Sequence, residues 1–167
     1  MRCGIQGFLL GIWLLFTSCQ TDTLATAGNG LRVSSEASER AKTEPPGEYF
    51  VGRRLVGKRY YFWGYVKKPG ENWEQAKLVM LNEKSQLAPD RARGAIGSDN
   101  NFEYRLYGYF SGDRVYEPAS GRFFPEFVLK KAELIDSNPP TIFPPNYVEQ
   151  QKMFANWPLG ALEPGTP

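Results

Sequence analysis

The side chains able to take part in chemistry are few, and their types narrow what this chain does. Among its 167 residues there is no histidine, and cysteine occurs twice, at Cys3 and Cys19. Without an imidazole there is no Ser-His-Asp or Cys-His relay, no usual zinc ligand set and no side chain that titrates unperturbed near neutral pH. Asp90, Asp99, Asp113, Glu117 and Glu126 are the carboxylates from which an acid/base pair for glycoside cleavage would be drawn. Such a pair must face a cleft at a set separation, which spacing along a chain does not fix. Asp99, Asn100 and Asn101 offer oxygen ligands but lack the spacing of a calcium loop, and Gly94 and Gly97 lead to no Gly-Lys-Ser/Thr phosphate loop. The expectation is a protein without cofactor or metal and without catalytic activity. A charge balance of 20 Lys+Arg against 18 Asp+Glu argues against binding nucleic acid by neutralising phosphates. The basic residues Arg53, Arg54, Lys58 and Arg59, with Arg91 and Arg93, read as solvated surface.

What the sequence has in quantity is aromatic surface, 14% of its residues. Residues 58–67 (KRYYFWGYVK) alternate with period two, placing Tyr60, Phe62, Gly64 and Val66 on one face and Tyr61, Trp63 and Tyr65 on the other. Residues 102–111 place Phe102, Tyr104, Leu106, Gly108 and Phe110 on one face and Glu103, Arg105, Tyr107 and Tyr109 on the other. With the uncharged sets turned inward, Trp63, Tyr65, Arg105, Tyr107 and Tyr109 form an outer stripe able to stack on sugars, prolines or bases. Two readings of the stripe stay open. It is an exposed face for a protein or polysaccharide partner, or it is covered within the molecule, residues 139–145 (PPTIFPP) being a suitable cover.

The elements that must position these rings are short strands. Residues 58–67 end at the turn Lys68-Pro69-Gly70-Glu71-Asn72; residues 76–82 and 102–111 are the second and third strands, 114–117 a short fourth, and 124–135 contain a fifth. The pattern predicts an all-β domain, a small five-stranded antiparallel barrel. Gly64 and Gly108, each among bulky neighbours, mark bulges of the kind that close a barrel. Gly57-Lys58, the strand centred on Gly64 and the last strand over 127–134 resemble an OB-fold, with an SH3-like barrel as the alternative. The departure from the OB pattern is the missing helix between the third and fourth strands, the long stretch 83–101 falling between the second and third instead. The domain is expected over 47–136. Residues 19–46, poor in large apolar groups, read as a flexible tether of roughly 30 Å r.m.s. span, in which a helix over 34–42 would lack an apolar face. Residues 137–167 read as a proline-rich tail with a short helix over 147–157.

The amino terminus carries an address. Residues 1–18 hold one cation, Arg2, and an apolar run over 8–16, within signal-peptide length and short of the ~20 residues that cross a bilayer. Phe16-Thr17-Ser18-Cys19 resembles the lipobox of bacterial lipoproteins. The resemblance implies cleavage after Ser18 and lipidation of Cys19, and Gln20 implies the outer membrane. Cys3 would leave with the leader and Cys19 would be thioether-linked, so no thiol and no disulfide would remain. The expected protein is a lipid-anchored lipoprotein with a binding or structural module facing the periplasm. The alternative is an accessory in cell-wall or polysaccharide processing, a weak carboxylate-based hydrolase.

Overall fold

The period-two stretches close on themselves. The computed structural model describes residues 31–57 and 60–144. In chain order these form α1 (Ser35–Lys42), β1 (Phe50–Arg54), β2 (Gly64–Lys67), a 3-10 turn at Trp73–Gln75, β3 (Lys77–Asn82), α2 (Pro89–Ala92), β4 (Glu103–Glu117) and β5 (Arg122–Asp136). The five strands make a closed barrel in the order β1-β2-β3-β5-β4, with β4 returning to β1. Closure leaves no open sheet edge in the barrel wall. The barrel is mixed, which corrects the antiparallel expectation: β3 and β5 run parallel, with Met80 opposite Glu126 and Asn82 opposite Val128. A crossover through α2 and β4 brings the chain back beside β3 in the same direction.

Five strands were expected and five are present, but they are not the same five. β1 is FVGRR, and its arginines mark it as surface in the sequence. The third and fourth expected strands are one continuous β4, paired with β5 from Glu103↔Asp136 to Glu117↔Arg122. With β1 counted, the stretch after β3 lies between the third and fourth strands, and it carries α2. The apparent departure from the OB pattern came from numbering the strands without β1.

Two apolar layers result. Trp63, Val66, Val79, Tyr104, Leu106, Phe127 and Leu129 fill the barrel. A second cluster lies on its outer side, where Val51, Tyr65, Trp73, Phe62 and Phe124 meet Leu31, Val33, Ala37, Ala41, Ile142 and Phe143. Residues 31–44 are therefore packed structure and not tether, and residues 139–143 belong to the domain and not to a tail. The backbone ties the two flanks together, the N–H of Arg32 donating to Ile142 O at 2.9 Å and that of Ser34 to Thr141 O at 3.0 Å. Ser34 also caps α1, its hydroxyl accepting from the Ala37 N–H at 3.1 Å. The buried face of α1 is Ala37 and Ala41. Each buried Leu, Val, Ile or Phe beside them contributes about 1.5–3 kcal/mol. Among the described residues no helix is long and apolar enough to cross a membrane. The leader, Cys19, residues 20–30 and the helix expected over 147–157 lie outside the described residues.

Candidate functional site

The expected stripe divides in three. Trp63 points into the barrel and is 3% exposed, while Tyr65 is 7% exposed beneath the flanking segments, its ring 6.1 Å from that of Phe143. Arg105, Tyr107 and Tyr109 stay on the outer face of β4. The stripe is therefore not one surface, and Trp63 and Tyr65 leave the candidate list. Cover by residues 139–143 is what Tyr65 receives.

The cause of the inversion is local. At Gly64 an added Cβ would stand 2.2 Å from Arg53 O, so β2 approaches β1 more closely there than any side chain allows. The close approach shifts the alternation by one. Trp63, its N–H donating to Val79 O at 2.8 Å, then shares the inner face with Val66, and Tyr65 turns outward opposite Arg53.

The surviving half of the stripe is extended by residues the sequence did not single out. The Arg105 guanidinium lies 4.7 Å over the ring of Tyr49, whose centroid is 6.5 Å from that of Tyr107. Lys131, opposite Tyr107 in the β4–β5 register, lies 5.4 Å over that ring, and Lys130 lies 5.2 Å over Tyr109. Glu133 completes the strip, accepting from the Tyr107 hydroxyl at 3.2 Å and pairing with Lys131 at 2.6 Å. Lys130 reaches Tyr109 because the register shifts between Tyr107 and Gly108, where an added Cβ would meet Val128 O at 2.1 Å. The result is an aromatic strip capped by cations, with Tyr109 49% exposed. Neither Lys130 nor Lys131 was legible as a partner, because only the bulge decides which ring each one faces.

The arginines of β1 have a different role from the solvated one expected. Arg53 is fully buried and holds Glu103 at 2.6 Å and Pro140 O at 2.9 Å. Arg40 of α1 binds the other oxygen of Glu103 at 3.1 Å and Asp136 at 2.7 Å. Lys67, also buried, pairs with Glu44, and its ammonium lies 4.9 Å over Trp73. These contacts bind the amino-terminal segment and Pro140 of the carboxyl flank to the barrel. Arg54 sits at the barrel end over Trp63, with Asp90 at 2.9 Å and Asp99 at 3.5 Å.

Four of the five carboxylates weighed for acid/base work are engaged in structure. Asp90 accepts from Arg54, from the Gly97 N–H at 3.0 Å and from the Arg91 N–H at 2.9 Å. Asp99 accepts from the Tyr104 hydroxyl at 2.9 Å. Glu117, buried, accepts from the N–H groups of Ala119 at 3.1 Å and Ser120 at 2.7 Å. Glu126 accepts from Asn82 at 3.1 Å, and Asp113 is exposed on the hairpin. Among the described residues no group of His, Cys, Asp or Glu is arranged to hold a metal ion.

Comparison with known proteins gives no match to a family model, to a curated protein or to a solved structure.

Proposed function

We propose that the chain is a lipid-anchored, non-catalytic binding module of the bacterial cell envelope. Acyl chains on Cys19 hold it to the outer membrane, the barrel faces the periplasm, and the strip of Tyr49, Arg105, Tyr107 and Tyr109 meets a protein or polysaccharide partner. The strip carries the binding half of this reading. It is the part of the predicted stripe that stays on the outer surface, and its Lys130 and Lys131 give it a cationic rim suited to a partner with acidic groups. The non-catalytic half draws support from the way Asp90, Asp99 and Glu117 are taken up by Arg54, Tyr104 and backbone N–H groups.

Two measurements test the reading. A fatty-acid probe fed to cells should label the wild type and not Cys19→Ala; equal labelling of both overturns the anchor. In a pulldown from solubilised envelopes, Tyr109→Ser with Lys130→Ser should lose about two- to fivefold or more of the captured partner, since a cation-flanked exposed ring contributes about 0.5–1 kcal/mol beyond the area it covers. Capture that is unchanged by the double substitution removes the strip from consideration.

A further inference from the structure

A second aromatic surface lies at the end of the barrel where the β1–β2 loop meets the tip of the β4–β5 hairpin. Buried Glu117 joins the two, accepting from the backbone N–H of Tyr61 as well as from those of Ala119 and Ser120. Tyr60 stacks on Phe62 at 5.2 Å, and Phe62 meets Phe124 edge-on at 5.8 Å. These contacts fix the loop and the hairpin, yet four rings remain in water. Tyr60 is 45% exposed, Tyr61 75%, Tyr116 50% and Phe123 55%, the last two forming a cross-strand pair 5.2 Å apart.

Cations accompany the rings. Arg122 lies 5.6 Å over Phe124, and Arg114 donates to Phe123 O at 2.8 Å. At the tip of the hairpin, over residues 111–125, the acidic residues are Asp113 and Glu117, and Glu117 is buried and satisfied. Tyrosines and a phenylalanine beside two arginines match the boundary between headgroups and acyl chains, where amphipathic rings settle and cations meet phosphates.

The length of chain left for a linker points the same way. Leu31 is already packed, so at most residues 20–30 separate Cys19 from the barrel. As a coil they would span about 18 Å r.m.s.. A domain of this length has a radius of gyration of about 13 Å. Its breadth therefore exceeds the linker's span, and an anchored barrel rests against the bilayer where the longer tether expected from sequence would have held it clear.

We infer that the end formed by Tyr60, Tyr61, Tyr116 and Phe123, with Arg114 and Arg122, is the surface on which the domain sits on an anionic phospholipid bilayer. The inference takes its setting from the anchored reading above, while the surface's own affinity is measured without the anchor. It leaves the strip at Tyr109, roughly 20 Å away along the hairpin, turned to its partner.

The test uses the chain from residue 19 onward carrying Cys19→Ala, which keeps every described residue and has no acyl chain. Sedimentation with vesicles of phosphatidylcholine containing about a third phosphatidylglycerol should pull the protein down, and pure phosphatidylcholine should do so about 30-fold less well if two cations contribute. Tyr61→Ser with Phe123→Ser should weaken binding to the anionic vesicles by about tenfold or more, with an unchanged circular-dichroism spectrum and melting temperature. Tyr109→Ser should leave vesicle binding unchanged. No binding of the unsubstituted protein to anionic vesicles overturns the inference, as does equal binding by the Tyr61/Phe123 variant. Capture on purified peptidoglycan that the same variant abolishes, in the absence of vesicle binding, assigns the end to a glycan and likewise overturns it. Because this protein carries no acyl group, a negative vesicle result leaves the acylation of Cys19 standing, and failed fatty-acid labelling leaves a positive vesicle result standing.

Discussion

Asp90 and Asp99 have opposite electrostatic fates around one guanidinium. Burial by itself would raise the Asp90 carboxyl, but Arg54 and the N–H groups of Gly97 and Arg91 outweigh it and hold the carboxyl below its usual range. Burial also raises Asp99, the neighbouring charge of Asp90 adds to it, and Arg54 at 3.5 Å is too distant to reverse the result. The two residues therefore bend the pH dependence of stability in opposite directions. A carboxyl depressed on folding adds stability above its unfolded pKa of about 3.9 and loses it as pH falls through the folded value. Asp90→Asn should cost about 3 kcal/mol at pH 7, since it strips the main partner from a buried arginine, and the cost should shrink as pH falls below about 4. A carboxyl raised on folding behaves in reverse: its stabilising share is complete below the unfolded pKa and fades as pH rises through the folded one. Asp99→Asn mimics the protonated form and keeps an acceptor for the Tyr104 hydroxyl, so its stability relative to wild type should rise between about pH 4 and 7. Urea melts of the three proteins across pH 3–7 check both slopes, and parallel curves for the two variants would refute the assignment.

At the scale of elements, close backbone approaches decide which strand faces inward, and the glycines that permit them were legible in advance. Gly64 and Gly108 stand out in sequence as small residues among rings, and both lie where an added Cβ would strike a carbonyl, Arg53 O or Val128 O. Gly108→Ala should cost about 1–3 kcal/mol and move Lys130 off Tyr109, seen as a lower urea midpoint and a changed Tyr ring environment by NMR. β3, the turn after β2 and the hairpin of β4 and β5 were also legible, because period-two alternation and Pro-Gly or Ser-Gly punctuation are local signals. β1 was not. Its Arg53 and Arg54 are buried only because Glu103, Asp90 and Asp99 arrive from distant parts of the chain. The amino-terminal segment was misread for a related reason: α1 buries alanines, which carry little apolar weight in sequence, and its fixing ion pair joins Arg40 to Asp136 at the far end of β5. Arg105, Tyr107 and Tyr109 were found by alternation alone, Trp63 was lost to the phase shift at Gly64, and Tyr65 was lost to the cover that Phe143 lays over it. The carboxyl flank is the sharper test of the revised boundary. Deleting from residue 137 removes Ile142, Phe143 and the Pro140 carbonyl that holds Arg53, so it should cost at least about 3–5 kcal/mol. An unchanged melting temperature would return residues 139–143 to the tail.

For the whole molecule, the two apolar layers share the same strands. β1 sends Val51 outward and opposes inner Gly52 to Val66, and β2 sends Tyr65 outward and Val66 inward. A strand hydrogen-bonded on both sides within a closed barrel cannot release one face while holding the other. Arg53 strengthens the link, because a guanidinium on β1 is held at once by Glu103 of β4 and by Pro140 of the carboxyl flank, and lies 5.1 Å over Trp73. Peeling the amino- and carboxyl-terminal cover from the barrel would expose Arg53 and Lys67, the outer ring of Tyr65 and the apolar residues beneath. Losing that cover should therefore melt the barrel, and the domain should unfold in one cooperative step. Two tryptophans report on the two layers separately, Trp63 inside the barrel and Trp73 under the cover. In the chain from residue 19 onward, with Trp157→Phe removing the remaining indole, Trp73→Phe leaves fluorescence to the inner layer and Trp63→Phe leaves it to the outer. For each protein the urea midpoint read by its single indole should coincide with that read by far-ultraviolet circular dichroism. If the Trp73 signal changes at a distinctly lower urea concentration than the backbone signal of the same protein, the cover is a separate unit that comes off an intact barrel, and Arg53, Lys67 and Tyr65 then form a face that can be uncovered without unfolding.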